Sequence, residues 1–247
     1  MRITRILMGM PVTIEIVGAR DVKLHERAFA YLEGVDRRFS TYRGDSEISA
    51  INAGRIDADK CSAEMEEVFA IAALTQAETE GYFDIRRPDG TLDPSGIVKG
   101  WAIRNAARLL SDAGAHNFFV DAGGDIHCSG TNKSGGEWSA GIRNPFDPSQ
   151  HVKTVYPKGR GIATSGTYVR GQHIYNPFQP HAALDEVVSL TVVGRDVLEA
   201  DRFATAAFAM GARGIEFIEA QPGLEGYQID AAGIATMSTG FSGLTQP

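Results

Sequence analysis

Hydrophobic periodicity changes character along this chain, and the order of the change limits the folds open to it. After one strand signal at Val12–Val17 (VTIEIV), the pattern turns helical. Lys23–Phe39 spaces Leu24, Ala28, Tyr31, Leu32, Val35 and Phe39 for one helix face. Ser62–Thr79 repeats the signal, with Ser62 placed to cap and Gly81 to stop the helix. A third helix over Ser95–Ala113 ends at Gly114. Short strands follow at Asn117–Val120, Ile126–Ser129, Trp138–Ile142, Val152–Tyr156 and Val187–Val193. Then come a helix containing Asp201, a shorter one near Ile215–Ala220, and a hairpin, Gly226–Ile229 and Ile234–Ser238, turning at Ala231-Ala232-Gly233. Helices first and strands later, without β-α-β alternation, predict an α+β fold rather than a doubly wound parallel sheet. The expectation is one compact domain over residues 1–247, its N-terminal helices set against a mixed or antiparallel sheet core.

A formal charge of -7 argues against a nucleic-acid protein, which needs a basic stripe. A polyanionic ligand must then be held by a local arrangement of cations, metal and backbone N–H groups. Cys61 and Cys128 sit in no C-x-x-C pattern, so neither a zinc site nor a disulfide scaffold is indicated. No apolar run reaches the ~20 residues of a membrane span, and the N-terminus lacks a signal-peptide core. The chain is expected to be cytoplasmic unless a leader has been trimmed.

Two motifs lead nowhere. Gly130-Thr131-Asn132-Lys133-Ser134 lacks P-loop spacing, and no G-x-G-x-x-G follows the first strand. Others carry chemistry. In Ala200–Gly211 (ADRFATAAFAMG), Asp201 and Thr205 lie one helical turn apart, so a carboxylate and a hydroxyl share one face. Such a pair suits a hard cation such as Mg²⁺, although a cap and a back-bonded threonine would look the same. Asp93–Gly100 (DPSGIVKG) opens the third helix with small residues, which leaves N–H groups for an anion. Lys99 there is placed to meet a phosphate or to pair with Asp93. Asp121–Asp125 (DAGGD) permits close backbone approach to a ligand or an ordinary bulge. Gly161–Gly171 and His173–Pro177 follow, and His173 suits a general base, a phosphate donor or a merely structural role.

Taken in order, these segments resemble the ApbE-like FAD:protein FMN transferases. The likeness runs from Met8-Gly9 through Phe39–Asn52 (FSTYRGDSEISAIN), Gly81-Tyr82-Phe83-Asp84, Asp93–Gly100 and Asp121–Asp125. It continues through Ala163–Gly166, His173–Pro177 and Ala200–Gly211 to the last hairpin, covering nearly the whole chain. The resemblance implies binding of FAD with Mg²⁺, and transfer of FMN to a threonine or serine hydroxyl of an acceptor protein with release of AMP. It assigns FAD contacts to Met8, Tyr42, Tyr82, Phe83, Asp84, Asp93, Lys99 and Ile174. It assigns the metal to the Gly96 carbonyl, Asp201 and Thr205, and the phosphoryl centre to His173 with Asp201. Two departures stand out. The family usually reads His-x-x-Asp-Pro followed by Thr-Gly, whereas this chain has Asn176 and then Phe178-Gln179-Pro180; Met10 stands where a threonine is common. Asn176 keeps a hydrogen-bonding shape but loses a charge. That leaves two rivals to transfer: hydrolysis of FAD to FMN and AMP, and FAD binding without turnover.

Overall fold

The computed structural model describes residues 1–166 and 174–246. Two strands, β1 (Arg2–Leu7) and β2 (Met10–Ile16), form a hairpin ahead of the helices. Its turn is Met8-Gly9, both with positive φ (51° and 71°), the conformation that matches strand twist in a two-residue hairpin. Helices α1 (Lys23–Phe39), α2 (Glu47–Asn52), α3 (Ala63–Glu78) and α4 (Ser95–Asp112) come next. Ser62 caps α3 by accepting the Met65 N–H, as its position predicted. Gly114, at φ +86°, follows α4 in the left-handed conformation that ends helices.

The chain then lays down β3 (Phe118–Ala122), β4 (Asp125–Ser129), the hairpin β5 (Ala140–Arg143) and β6 (His151–Val155), β7 (Gly161–Gly166) and β8 (Val187–Gly194). Helices α5 (Val197–Ala209) and α6 (Gly214–Ala220) lead into β9 (Glu225–Asp230) and β10 (Ala235–Met237). Eight strands make one sheet in the order β1-β2-β3-β4-β7-β8-β9-β10, with every described pairing antiparallel. Hairpin β5–β6 stands apart as a two-stranded sheet. The fold is α+β, with helices and an antiparallel sheet, as the segment order predicted.

Both faces of the sheet's middle are covered, which explains why Val187–Val193 is nearly continuous apolar sequence. Successive strand residues point to opposite faces. Ala163 and Val192 pack with Ala200, Phe203 and Phe208 of α5, while their neighbours Ile162 and Val193 pack with Ala140, Ile142 and Val155 of the hairpin. A second apolar cluster joins α1 and α4 to β2 and β3 through Phe29, Leu32, Trp101, Val12 and Val120. Among the described residues, no helix is long and apolar enough to cross a membrane. Cys61 and Cys128 are free thiols.

Two segments read otherwise in sequence. Gly161–Gly166, not marked as a strand in sequence, is strand β7 at the centre of the sheet. It needs a glycine at 161 because a Cβ there would lie 2.0 Å from the Val197 backbone nitrogen. The first strand, Arg2–Leu7, was not separated from the second, since its alternation is half exposed and carries two arginines.

Candidate functional site

The site is built on the contact between α4 and α5, and glycine spacing permits that contact. Gly96 and Gly100 are one turn apart on α4 and face α5. A Cβ on Gly100 would stand 2.8 Å from Asp201 Cβ and 2.9 Å from the Val197 carbonyl oxygen. One on Gly96 would meet Phe83 at 3.0 Å and Thr205 Cγ2 at 3.3 Å. Small residues thus bring the two backbones close enough for Asp201 to reach across. Its Oδ2 accepts the Gly100 N–H at 2.8 Å. In a regular helix that same N–H points at the carbonyl of Gly96. Asp201 Oδ2 takes that N–H, and Gly96, Asp201 and Thr205 border the same stretch of wall.

Lys99 closes the arrangement. Its Nζ lies 2.5 Å from Asp125 Oδ2 and 3.4 Å from Asp201 Oδ1. Both carboxylates are almost wholly buried, at 1% and 3% exposure, so the ammonium between them offsets a desolvation cost that neither could bear alone. Asp125 is fixed further by the Thr164 N–H at 3.0 Å, and Thr164 shares a hydroxyl contact of 2.8 Å with Thr191. Burial pushes the Asp201 carboxyl well above the usual range; Lys99 pulls it back and Asp125 adds to the rise. A carboxyl in that condition gains most from one more positive charge beside it.

Lys99, Asp201 and Thr164 line a cleft of about 1300 Å³, counting its solvent-open mouth. Tyr82, Phe83, Asp84, Asp93, Gly96, Lys99, Ile174, Asp201 and Thr205 all border it. Gly123 and Gly124, with φ of +64° and +101°, bring bare backbone to the same wall. The rim is aromatic: Tyr82 meets Phe178 edge-on, centroids 5.0 Å apart. Asn176 shapes this rim, its Oδ1 accepting the Phe178 N–H at 2.9 Å, while the Tyr175 hydroxyl donates to the Arg86 carbonyl.

Not every expected residue is gathered here. Tyr42 is 97% exposed and stands outside the cleft lining, and Met8 sits in the β1–β2 turn, also outside it. His173 lies outside the described residues. Lys99 pairs with Asp125 and Asp201 rather than with Asp93, which is held by Arg87. Asp93 also accepts the Ser95 N–H at 3.1 Å, so the first turn of α4 is less open to an outside anion than its small residues suggested. Sequence reasoning missed Arg87 and Arg143, both at the cleft, and the buried role of Asp125. Asp125 had a local signal in its glycine pair; the arginines had none. Among the described residues no cluster of three His, Cys, Asp or Glu side chains stands ready for a metal. Asp201 brings a carboxylate to this wall beside Gly96 and Thr205.

The ApbE family model matches residues 8–87 and 85–228. A FAD:protein FMN transferase of Vibrio cholerae serotype O1 is 34% identical over 143 residues, covering 54% of this chain and 43% of the relative. One from Escherichia coli K12 is 28% identical over 188 residues, covering 72% and 52%. The chain thus spans about half the length of the curated relatives it matches. The solved structure of the flavin transferase ApbE from Vibrio cholerae aligns with a TM-score of 0.85 at 26% identity, over 99% of this chain and 98% of that one.

Proposed function

Because the chain belongs to the ApbE family, we propose that its cleft binds FAD with Mg²⁺ and transfers FMN to a threonine or serine hydroxyl of an acceptor protein, releasing AMP. The observation that carries this reading is the α4–α5 contact, where Gly96 and Gly100 let Asp201 cross to α4 beside Lys99. The Gly96 carbonyl, Asp201 and Thr205 would hold the metal. When bound, it supplies positive charge against the pyrophosphate, which a phosphoryl-type transfer needs more than covalent help.

Charge accounting supports the pairing of the two ligands. Three carboxylates (Asp84, Asp93, Asp201) and three cations (Arg87, Lys99, Arg143) line the described cleft, so it is formally neutral. A neutral cleft in a chain of net charge -7 offers a pyrophosphate no surplus attraction. A divalent cation restores it. Tyr82 and Phe83 would take a flat ring of the dinucleotide, and Ile174 and the Gly123-Gly124 backbone would pack against its spine. The proposed role of His173, to take the proton of the acceptor hydroxyl or orient a phosphate, rests on the family resemblance.

The charge lost at Asn176 keeps hydrolysis and binding without turnover as rivals. The Asn176 side-chain oxygen is spent on the Phe178 N–H, a turn that asparagine and aspartate form equally well. The test is incubation with FAD, Mg²⁺ and a candidate acceptor, followed by mass spectrometry. Transfer adds the FMN mass to the acceptor; free FMN with AMP in its place establishes hydrolysis; unchanged FAD leaves only a binding protein.

A further inference from the structure

We propose that Arg143 is a catalytic residue of this cleft that grips the pyrophosphate and takes up the charge appearing on departing AMP; this rests on the FAD reading above.

The three cations lining the cleft differ in what they face. Arg87 is paired with Asp93, and Lys99 is shared between Asp125 and Asp201. Arg143 has no ion-pair or hydrogen-bond partner among the described residues, yet it borders the same space. Its guanidinium acts on the Asp121 carboxylate through space but makes no ion pair or hydrogen bond among the described residues, unlike Arg87 and Lys99. Planar, permanently charged and weakly hydrated, it suits two phosphate oxygens better than an ammonium does.

Its placement is built rather than incidental. Strand β5 alternates, with Ala140 and Ile142 buried against the sheet and Gly141 and Arg143 turned the other way, and both of the latter border the cleft. The His151 ring packs so close over residue 141 that a Cβ there would be 2.3 Å from it, so a larger residue would have to displace the imidazole. The strand register shifts between Ile142 and Arg143, a bulge of the kind that re-aims a side chain beside a site. Just beyond, Asn144 accepts the Phe146 N–H and donates its own N–H to the Gln150 carbonyl, which pins the hairpin tip. The hairpin covers the sheet face opposite α5. Arg143 consequently enters from a different layer than Lys99 and Asp201, and the two sets can hold a pyrophosphate between them.

In the transfer, the acceptor hydroxyl oxygen bonds to the flavin-side phosphorus as the bond from that phosphorus to the bridging oxygen breaks. AMP leaves with the electron pair, and the hydroxyl proton passes to a base. Negative charge grows on the AMP phosphate, where a fixed guanidinium is worth most in the transition state.

The experiment compares the parent protein with Arg143→Ala and Arg143→Lys, following AMP release and the gain of FMN mass by a candidate acceptor from FAD with Mg²⁺. Arg143→Ala should lose about 10²-fold or more in kcat, the scale of other removed transition-state donors. Arg143→Lys should retain part of that, and free guanidinium at millimolar concentration should restore part of the alanine variant's rate. Thermal midpoints should stay level because Arg143 is exposed. Turnover by Arg143→Ala within twofold of the parent, or a rate deaf to guanidinium, overturns the assignment while leaving the FAD reading intact. A parent that neither turns over nor binds FAD sinks both.

Discussion

Replacing Gly100 by alanine sets two forces of opposite sign against each other. In a helix interior, Gly→Ala alone stabilises by about 0.8–1.0 kcal/mol. At Gly100 the new methyl would lie 2.8 Å from Asp201 Cβ, 2.9 Å from Leu198 Cα and 2.9 Å from the Val197 carbonyl. Carbon atoms rest at roughly 3.5–4.0 Å, so α4 and α5 must part by about 1 Å. Two of the three obstructing atoms are backbone and cannot swing away. Overpacking of this kind costs about 1–3 kcal/mol, which outweighs the propensity gain. The net loss is on the order of 0–2 kcal/mol, or up to roughly 8 °C in thermal midpoint for a chain of this size. Activity should suffer more than stability. Parting the helices moves the Gly96 carbonyl away from Asp201 and Thr205, and a misplacement of about 1 Å costs about 10²-fold in rate. The control is Gly34→Ala in α1, where the only neighbour of an added Cβ is the end of the Arg37 side chain at 3.9 Å. That variant should be more stable by about 1 kcal/mol with unchanged turnover. Calorimetric melting and FAD turnover on both proteins decide the matter. If Gly100→Ala is stabilised like Gly34→Ala and keeps its rate, the close helix contact is not what organises the site.

Two further predictions follow from neighbouring groups. Asp201→Asn should abolish metal-dependent turnover with little change in melting, since it removes the one formal charge among the proposed metal donors, and calorimetric titration should show Mg²⁺ affinity falling by several kcal/mol. Thr205→Val should do less, because water can replace a neutral hydroxyl; a strong drop in stability with intact activity per folded molecule would make Asp201 a structural residue only. The alkaline side of the stability curve reports on Cys128, which is 2% exposed and whose thiol burial pushes up to about 11 from an ordinary value near 9. Between those values the unfolded chain has lost the proton that the native chain keeps, so stability falls as pH rises from about 9 to about 11, by on the order of 1–3 kcal/mol. Urea unfolding across that range should give a shallower decline for Cys128→Ala than for the parent; equal slopes would refute it.

How far the sequence reveals this molecule depends on whether the forces involved are local. Helix α1 was read to its ends because its apolar residues fall on one face and all of Ala28, Leu32, Val35 and Phe39 are buried. Asp201 and Thr205 both border the cleft for a similar reason: helical geometry alone places them on one face. Strand β7 was not picked out in sequence because Gly161, Ala163 and Gly166 carry little or no side chain, and what demands the glycine at 161 is the backbone of α5, distant in sequence. The ion pairing of Lys99 failed on the same ground. Asp93 is near in sequence, but α4 turns the lysine toward β4 and α5, and Asp93 finds Arg87 across its own loop. Arg143 carried no motif at all, since its orientation is set by a bulge against His151 and by a hairpin that folds over the far side of the sheet. The same distinction governs Asn176. As a letter in a motif it is a missing negative charge; as a group in the fold it is an acceptor for the Phe178 N–H, which sets Phe178 against Gly81 and Tyr82 at the cleft rim. A charge argument drawn from that one position is therefore weaker than the geometric one. The chemistry of this cleft depends more on which backbones the glycines allow to meet than on any single titratable residue the motif lacks.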